Sequence, residues 1–238
     1  LQTQPSEGQE RLCPVMADHH QILTDSPGPG KYRGGAGVIK TSTIGAADQA
    51  IISYICDRER SVVWGIKGGL PSMPHGLWIR RKDRQEKEWM GSLFSDESIG
   101  SGDVFSRSTA GGGGLGDPLE RDPEAVMRDV EDDYVSLERA KTDYGVVLRV
   151  IDPDLAQYEV DIEATKSARA EIAAQRAGWL DEEPEVAAGR YQAGELNEFD
   201  LVRRYGVIVD WGSGELLPKT TDQFRAMMRK RSAAYWSD

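Results

Sequence analysis

The sequence predicts an α+β fold, a β-rich N-terminal half followed by a helical C-terminal half with a candidate duplicated helix-helix-strand unit. Three observations carry this. Residues 1–110 are rich in Gly, Ser, Thr and β-branched side chains, with GG, PG and GP turn signals. After Asp117 the segments take a helical period with start signals. The stretch 122–148 then recurs, without a gap, at 183–209. With 238 residues the chain can bury an apolar core without a disulfide or metal staple. Residues 1–116 are expected to form the β-rich domain with two glycine-rich loops and 117–238 the mainly helical region, 111–121 being the hinge.

In the first half, strand-like runs are expected at Ala36–Thr43, Ala50–Cys56 and Val62–Ile66. In the second half, Asp122, Pro123 and Glu124 supply an N-cap acceptor, a proline at the position whose donor is unused, and an acid on the positive helix end. Ser136 caps a short helix through Lys141, and Val146–Val150 reads as a strand after the Tyr144-Gly145 stop. In the recurrence Pro123 meets Pro184, Ser136 meets Asn197, and Tyr144, Gly145 and Val146 meet Tyr205, Gly206 and Val207. Each unit precedes a longer helix, Thr165–Ala177 and Thr220 to about Ala234. The second carries Arg225, Arg229, Lys230 and Arg231, a basic face expected to be solvated opposite Phe224, Met227 and Met228.

The net charge of −11 has the wrong sign for a general nucleic-acid binder. No run approaches a membrane span, so no membrane partner is expected and a cytoplasmic location is. Cys13 and Cys56 are too sparse for a disulfide framework or zinc cage, which fits a reducing compartment. The opening at Leu1, without an initiator Met, is expected of a processed chain or of one piece of a larger polypeptide. Residues 117–163 hold fifteen acids against five bases, so nearly the whole charge excess forms one acidic segment, exposed or facing a basic partner.

Two glycine clusters are the candidate functional loops. Gly111, Gly112, Gly113 and Gly114, followed by Asp117, can converge backbone amides on an anion or carbonyl, or form a tight structural turn. No Lys-Ser or Lys-Thr follows, so this is not a known phosphate loop. The second cluster, Asp25–Gly37, offers Lys31 and Arg33 to a carboxylate or forms a hairpin junction with solvated basic tips, and Tyr32 stands where a magnesium-binding hydroxyl would be needed. His19 and His20 are adjacent and would diverge, and His75 stands alone, so no metal ligand set is expected. No catalytic acid, base or nucleophile announces itself.

The segments DSPGPGKYRGGAG at 25–37, AGGGGLGDPLERDPEAVMRDV at 110–130 and SLERAKTDYGVVL at 136–148 resemble the C-terminal part of the hydantoinase B family. That family includes N-methylhydantoinase B subunits, the matching half of 5-oxoprolinase, and subunits of acetone and acetophenone carboxylases. The resemblance covers about residues 10–150. It implies a multi-subunit enzyme in which an ATP-using A-type subunit activates a carbonyl compound and the B-type subunit opens a ring or carboxylates. ATP and a divalent metal are implied for the complex, bound by other subunits or by family sequence ahead of this chain. The implied partners are the A-type ATP-binding subunit and the rest of the B-type subunit, in a hetero-oligomer.

The resemblance assigns no catalytic residue here, since the matching motifs are loops and turns. The extension from about 150 to 238 tilts the expectation toward ATP-dependent ketone carboxylases, acetophenone carboxylase among them, acting through an enol phosphate. The alternatives are a B-type subunit that opens a cyclic amide and a noncatalytic assembly module.

Overall fold

The computed structural model describes residues 5–47 and 49–235, the last five by backbone alone. Two compact units divide the chain: residues 1–22, 38–59 and 74–109, and residues 23–37, 60–73 and 110–238.

The first unit holds helix α1 (Ser6–Leu12) and strands β1 (Val15–Leu23), β2 (Gly37–Ile44), β3 (Ala50–Ile55), β4 (Leu77–Arg80), β5 (Lys87–Gly91), β6 (Leu93–Ile99) and β7 (Val104–Ser108). Five of them form one sheet in the order β1-β2-β7-β4-β5, and β3 pairs with β6 as a separate antiparallel ribbon. Strands β2, β7, β4 and β5 are joined through antiparallel pairs, with Thr41 opposite Ser106 and Ser106 opposite Trp78. Alternation sends Leu77, Ile79 and Phe105 to a core with Ile44 and Ile99, and leaves Trp78, Arg80, Val104 and Ser106 on the other face. The first two expected strands are present within a residue or two. The third is not: Val62–Ile66 is irregular, because the Val63 N–H is taken by the Ser72 hydroxyl and the Ile66 N–H by the Gly114 carbonyl.

The second unit contains α2 (Pro123–Glu131), α3 (Leu137–Tyr144), the hairpin β8 (Leu148–Asp152) and β9 (Gln157–Val160), then α4 (Ile162–Gln175), α5 (Pro184–Gln192), α6 (Glu198–Arg203) and α7 (Pro218–Tyr235). The start signals act as read. Asp122 accepts from the Glu124 N–H, Ser136 from Arg139 and Asn197 from Asp200. Helix α3 runs nearly one turn beyond Lys141, because its stop is the left-handed Gly145, φ 62°.

The recurrence is visible in the helices, their caps and the turn that follows, but the strand expected at Val146–Val150 begins at Leu148, and in the second copy Val209 makes an isolated bridge to Leu216 instead of a strand. Gly145 caps α3 and Gly206 follows the C-cap of α6 by two residues, both with φ near 60°, and the Val146 N–H reaches the Ala140 carbonyl as the Val207 N–H reaches that of Leu201. Val126 and Ala140 in the first core correspond to Ala187 and Leu201 in the second, all fully buried, so the large and the small side chain have exchanged places and the space stays filled. The likeness continues into the long helices. Thr165 receives the Val147 N–H and Thr221 that of Ile208; Arg169 donates to the Arg121 carbonyl and Arg225 to that of Glu182. Arg225 is therefore buried and bonded to main chain, not part of a solvated basic face.

The two copies meet through α3 and α6, where equivalent positions touch. Arg139 donates to Asp200, its own equivalent, at 3.0 Å. Arg203 pairs with Asp143 at 2.6 Å, and the mirrored contact runs from Arg204 to the Thr142 carbonyl at 3.0 Å.

Candidate functional site

Both glycine clusters fall in the second unit and close on the irregular segment 62–72. The Gly112 N–H donates to the Gly35 carbonyl (2.8 Å), Gly114 to Leu70 (3.0 Å), Leu115 to Tyr32 (2.9 Å) and Gly116 to Ile66 (2.8 Å). Three backbones approach so closely that a methyl at Gly34 would overlap the Gly112 carbonyl, one at Gly113 that of Trp64, and one at Gly114 that of Pro29. A run of glycine is the sequence answer to such crowding. The amides of Gly112, Gly114 and Gly116 are committed to this joint rather than offered to an anion.

The charged loop candidates are likewise paired within the unit. Lys31 reaches Glu120 at 3.1 Å on the surface. Arg33 donates to Asp129 at 2.8 Å and stacks over the Tyr134 ring at 4.0 Å. Asp117 caps the 3-10 turn Pro118–Glu120 by accepting the Leu119 N–H, and receives Arg176 through two bonds of 3.0 and 2.8 Å.

One side chain ties the joint to the repeats. Arg203 is 1% exposed and donates to Asp143, to the carbonyls of Asp25 (2.7 Å) and Pro27 (3.0 Å), and to that of Pro71 at 3.4 Å. Burial pushes the Asp143 carboxyl upward, and the guanidiniums of Arg203 and Arg139 pull it back. Asp25 sits at φ 63° and accepts the Ser136 N–H, so the first glycine loop is also fastened to the start of α3.

Beside this clamp lies a cleft of about 400 Å³ whose wall includes Leu70, Trp179, Leu180 and Met228, rimmed by Arg176 and Arg204. Arg204 lies over the Trp179 ring at 5.3 Å. Arg176 is held by Asp117 and Arg204 by Asp200 and the Thr142 carbonyl, and Asp181 also lines the cleft, so its apolar wall suits a small, mainly apolar molecule. Sequence reading missed Arg203, Asp143 and this cleft. The available signal was the exchange of charge across the repeat, Arg139 against Asp200 and Asp143 against Arg204, which marks positions that face each other.

The histidines and cysteines build no comparable site. His19 and His20 lie side by side on β1, and among the described residues no three His, Cys, Asp or Glu side chains converge to hold a metal ion. His75 is buried and its Nδ1–H donates to the Ser108 carbonyl at 2.9 Å, with the Cys56 sulfur at 3.7 Å. Burial lowers the His75 pKa and raises that of the Cys56 thiol, which keeps the sulfur protonated near neutrality.

Residues 1–118 match the sequence model of the hydantoinase B/oxoprolinase family. This segment belongs to that family. Its match takes in both glycine loops and ends in the 3-10 turn, before the repeats. A putative D-/L-hydantoinase B-type subunit from a Pseudomonas species is 30% identical over 165 residues, covering 69% of this chain and 26% of that protein. The acetone carboxylase alpha subunit of Xanthobacter autotrophicus is 29% identical over 190 residues, covering 67% of this chain and 24% of that protein. The chain thus spans about a quarter of the length of these relatives. A nucleotide-free acetone carboxylase structure superposes on all of this chain and on 33% of its own length, with a TM-score of 0.64 at 22% identity. The hydantoinase B segment and the repeats after it therefore share one fold with that enzyme.

Proposed function

We propose that the chain is the C-terminal part of a B-type subunit in a multi-subunit, ATP-dependent carboxylase that activates a ketone as an enol phosphate and carboxylates it. The observation that carries this reading is the sequence similarity to the acetone carboxylase alpha subunit, and the shared fold extends it through the repeats. An A-type ATP-binding subunit and the remainder of the B-type subunit are the partners, in a hetero-oligomer. ATP and a divalent metal belong to those parts.

This chain's own contribution is positional. Arg203, tied to the glycine joint, lines the cleft with Trp179 and Met228, and Arg204, anchored on Asp200 and the Thr142 carbonyl, is the guanidinium that would meet the oxygen of a carbonyl compound bound there. A cyclic amide presents the same combination of apolar body and oxygen. The similarity to the hydantoinase relative favours that second reading, ring opening at the expense of ATP.

A substrate panel on the reconstituted complex tests it. Ketone-stimulated ATP hydrolysis with carboxylate product is expected, and hydrolysis stimulated only by cyclic amides would replace the first reading by the second. Arg204→Gln is expected to leave the complex assembled by size-exclusion chromatography while lowering turnover about tenfold or more. Lost assembly with unchanged specific activity in the residual complex would mark a noncatalytic assembly module.

A further inference from the structure

In the first unit, the face of the five-stranded sheet that turns away from its core carries a second cavity, of about 230 Å³, lined by His19, Thr41, Trp78, Arg80, Lys87 and Ser106, with two aliphatic side chains at its edges. The register explains how they meet. Thr41, Ser106 and Trp78 lie in one row across β2, β7 and β4, and Trp78 continues to Trp89 on β5. Arg80 lies opposite Lys87 in the next row on that face. Directly opposed like charges repel, so two cations facing each other across a ladder are unfavourable unless something negative sits between them. The Thr41 and Ser106 hydroxyls are bonded to each other at 2.9 Å, which leaves one of their two hydrogens to donate to a ligand, and Trp78 packs on Trp89 at 4.6 Å, which holds the ring in place as a wall.

No carboxylate lines the cavity. Among the described residues the side chains of Arg80, Lys87 and His19 make no ion pair or hydrogen bond. Of the neighbouring acids, Asp18 accepts the Thr43 hydroxyl at 2.8 Å and Glu88 holds Arg81 and Arg84, while Glu86, also adjacent to Lys87, does not line the cavity. In a chain of net charge −11, a pocket with two cations, Arg80 and Lys87, and no acid is a local reversal of sign.

We propose that this pocket binds a small oxyanion carried on a flat apolar body, the oxyanion between Arg80 and Lys87 and the body against Trp78. The volume lies below the ~300–1,000 Å³ of sites for larger ligands, so the ligand is of the size of a single ring with one charged group. Carboxylates and phosphate monoesters share this chemistry. The inference does not depend on the reaction proposed above, since it concerns the other unit and is read by binding alone.

Trp78 makes the test direct. The purified chain is titrated with benzoate, phenyl phosphate and inorganic phosphate at low ionic strength, followed by tryptophan fluorescence and calorimetry. Saturable binding of an aryl anion is expected, with inorganic phosphate weaker for want of the stacking body. Whichever of benzoate and phenyl phosphate binds more tightly identifies the source of the charge. Arg80→Gln and Lys87→Gln are each expected to weaken binding about tenfold, with unchanged circular dichroism and melting. Trp78→Leu is expected to remove the advantage of aryl ligands over inorganic phosphate. Failure of all three anions to saturate would overturn the proposal, as would binding that survives the double variant Arg80→Gln/Lys87→Gln.

Discussion

A methyl group added at Gly113 would meet the Trp64 carbonyl, whereas one added at Gly35, two segments away in the same joint, would meet nothing within 4 Å. The two substitutions therefore separate steric need from glycine content. Gly113→Ala is expected to cost about 1–3 kcal/mol or more, and Gly35→Ala to stay within about 0.5 kcal/mol, by chemical denaturation of the chain. Arg203 is the other residue on which the unit turns. Arg203→Met would leave Asp143 buried without its close partner and three carbonyls without a donor, an expected loss of about 3–5 kcal/mol in the same measurement. At His75, burial holds the ring neutral by lowering its pKa. The folded state therefore binds fewer protons than the unfolded chain just below pH ~6.5. The stability His75 contributes is complete above that value and is lost as the pH falls through the folded pKa. Thermal melts of wild type should fall more steeply between pH 7 and 5 than those of His75→Gln.

The repeat makes each element of the second unit a control for its counterpart. Ser136 and Asn197 are equivalent N-caps, each accepting from the N–H three residues on at 3.1 and 2.9 Å. Ser136→Ala and Asn197→Ala should each cost about 1 kcal/mol, since both helices are short and depend on their caps. Gly189 lies inside α5 with open space around its would-be side chain. Gly189→Ala is accordingly expected to stabilise by about 0.5–1 kcal/mol. The strands were harder to read than the helices. Val62–Ile66 has strand composition, yet glycine backbones from elsewhere claim its hydrogen bonds. Strands β4 and β5 offered little periodicity, because their outward face carries tryptophan and arginine instead of a clean polar alternation.

Across the whole molecule, the acidic segment 117–163 takes on a specific internal role. Asp117, Asp129 and Asp143 bind Arg176, Arg33 and Arg203, so part of the charge excess neutralises cations of the turn after α4, the first glycine loop and the second repeat from within. Raised salt should consequently destabilise the chain little through Asp143–Arg203, where both side chains are 2% exposed or less, and more through the exposed Lys31–Glu120 pair. Comparing the salt dependence of Arg203→Met and Lys31→Gln melts checks this. The features legible in the residues alone were local: the caps at Asp122, Ser136 and Asn197, the glycine stops, the 61-residue recurrence, and the two glycine clusters with their family resemblance. These depend on neighbours within a few residues, and short-range chemistry is written directly in the chain. The purpose of the clusters emerged only in the folded molecule. Gly34, Gly65 and Gly113 are distant in sequence, and the need for glycine at each arises from a backbone that packs on it only once the chain has folded. The same holds for Arg203 and for the cations around Trp78, whose partners, or lack of them, are set by contacts across the fold.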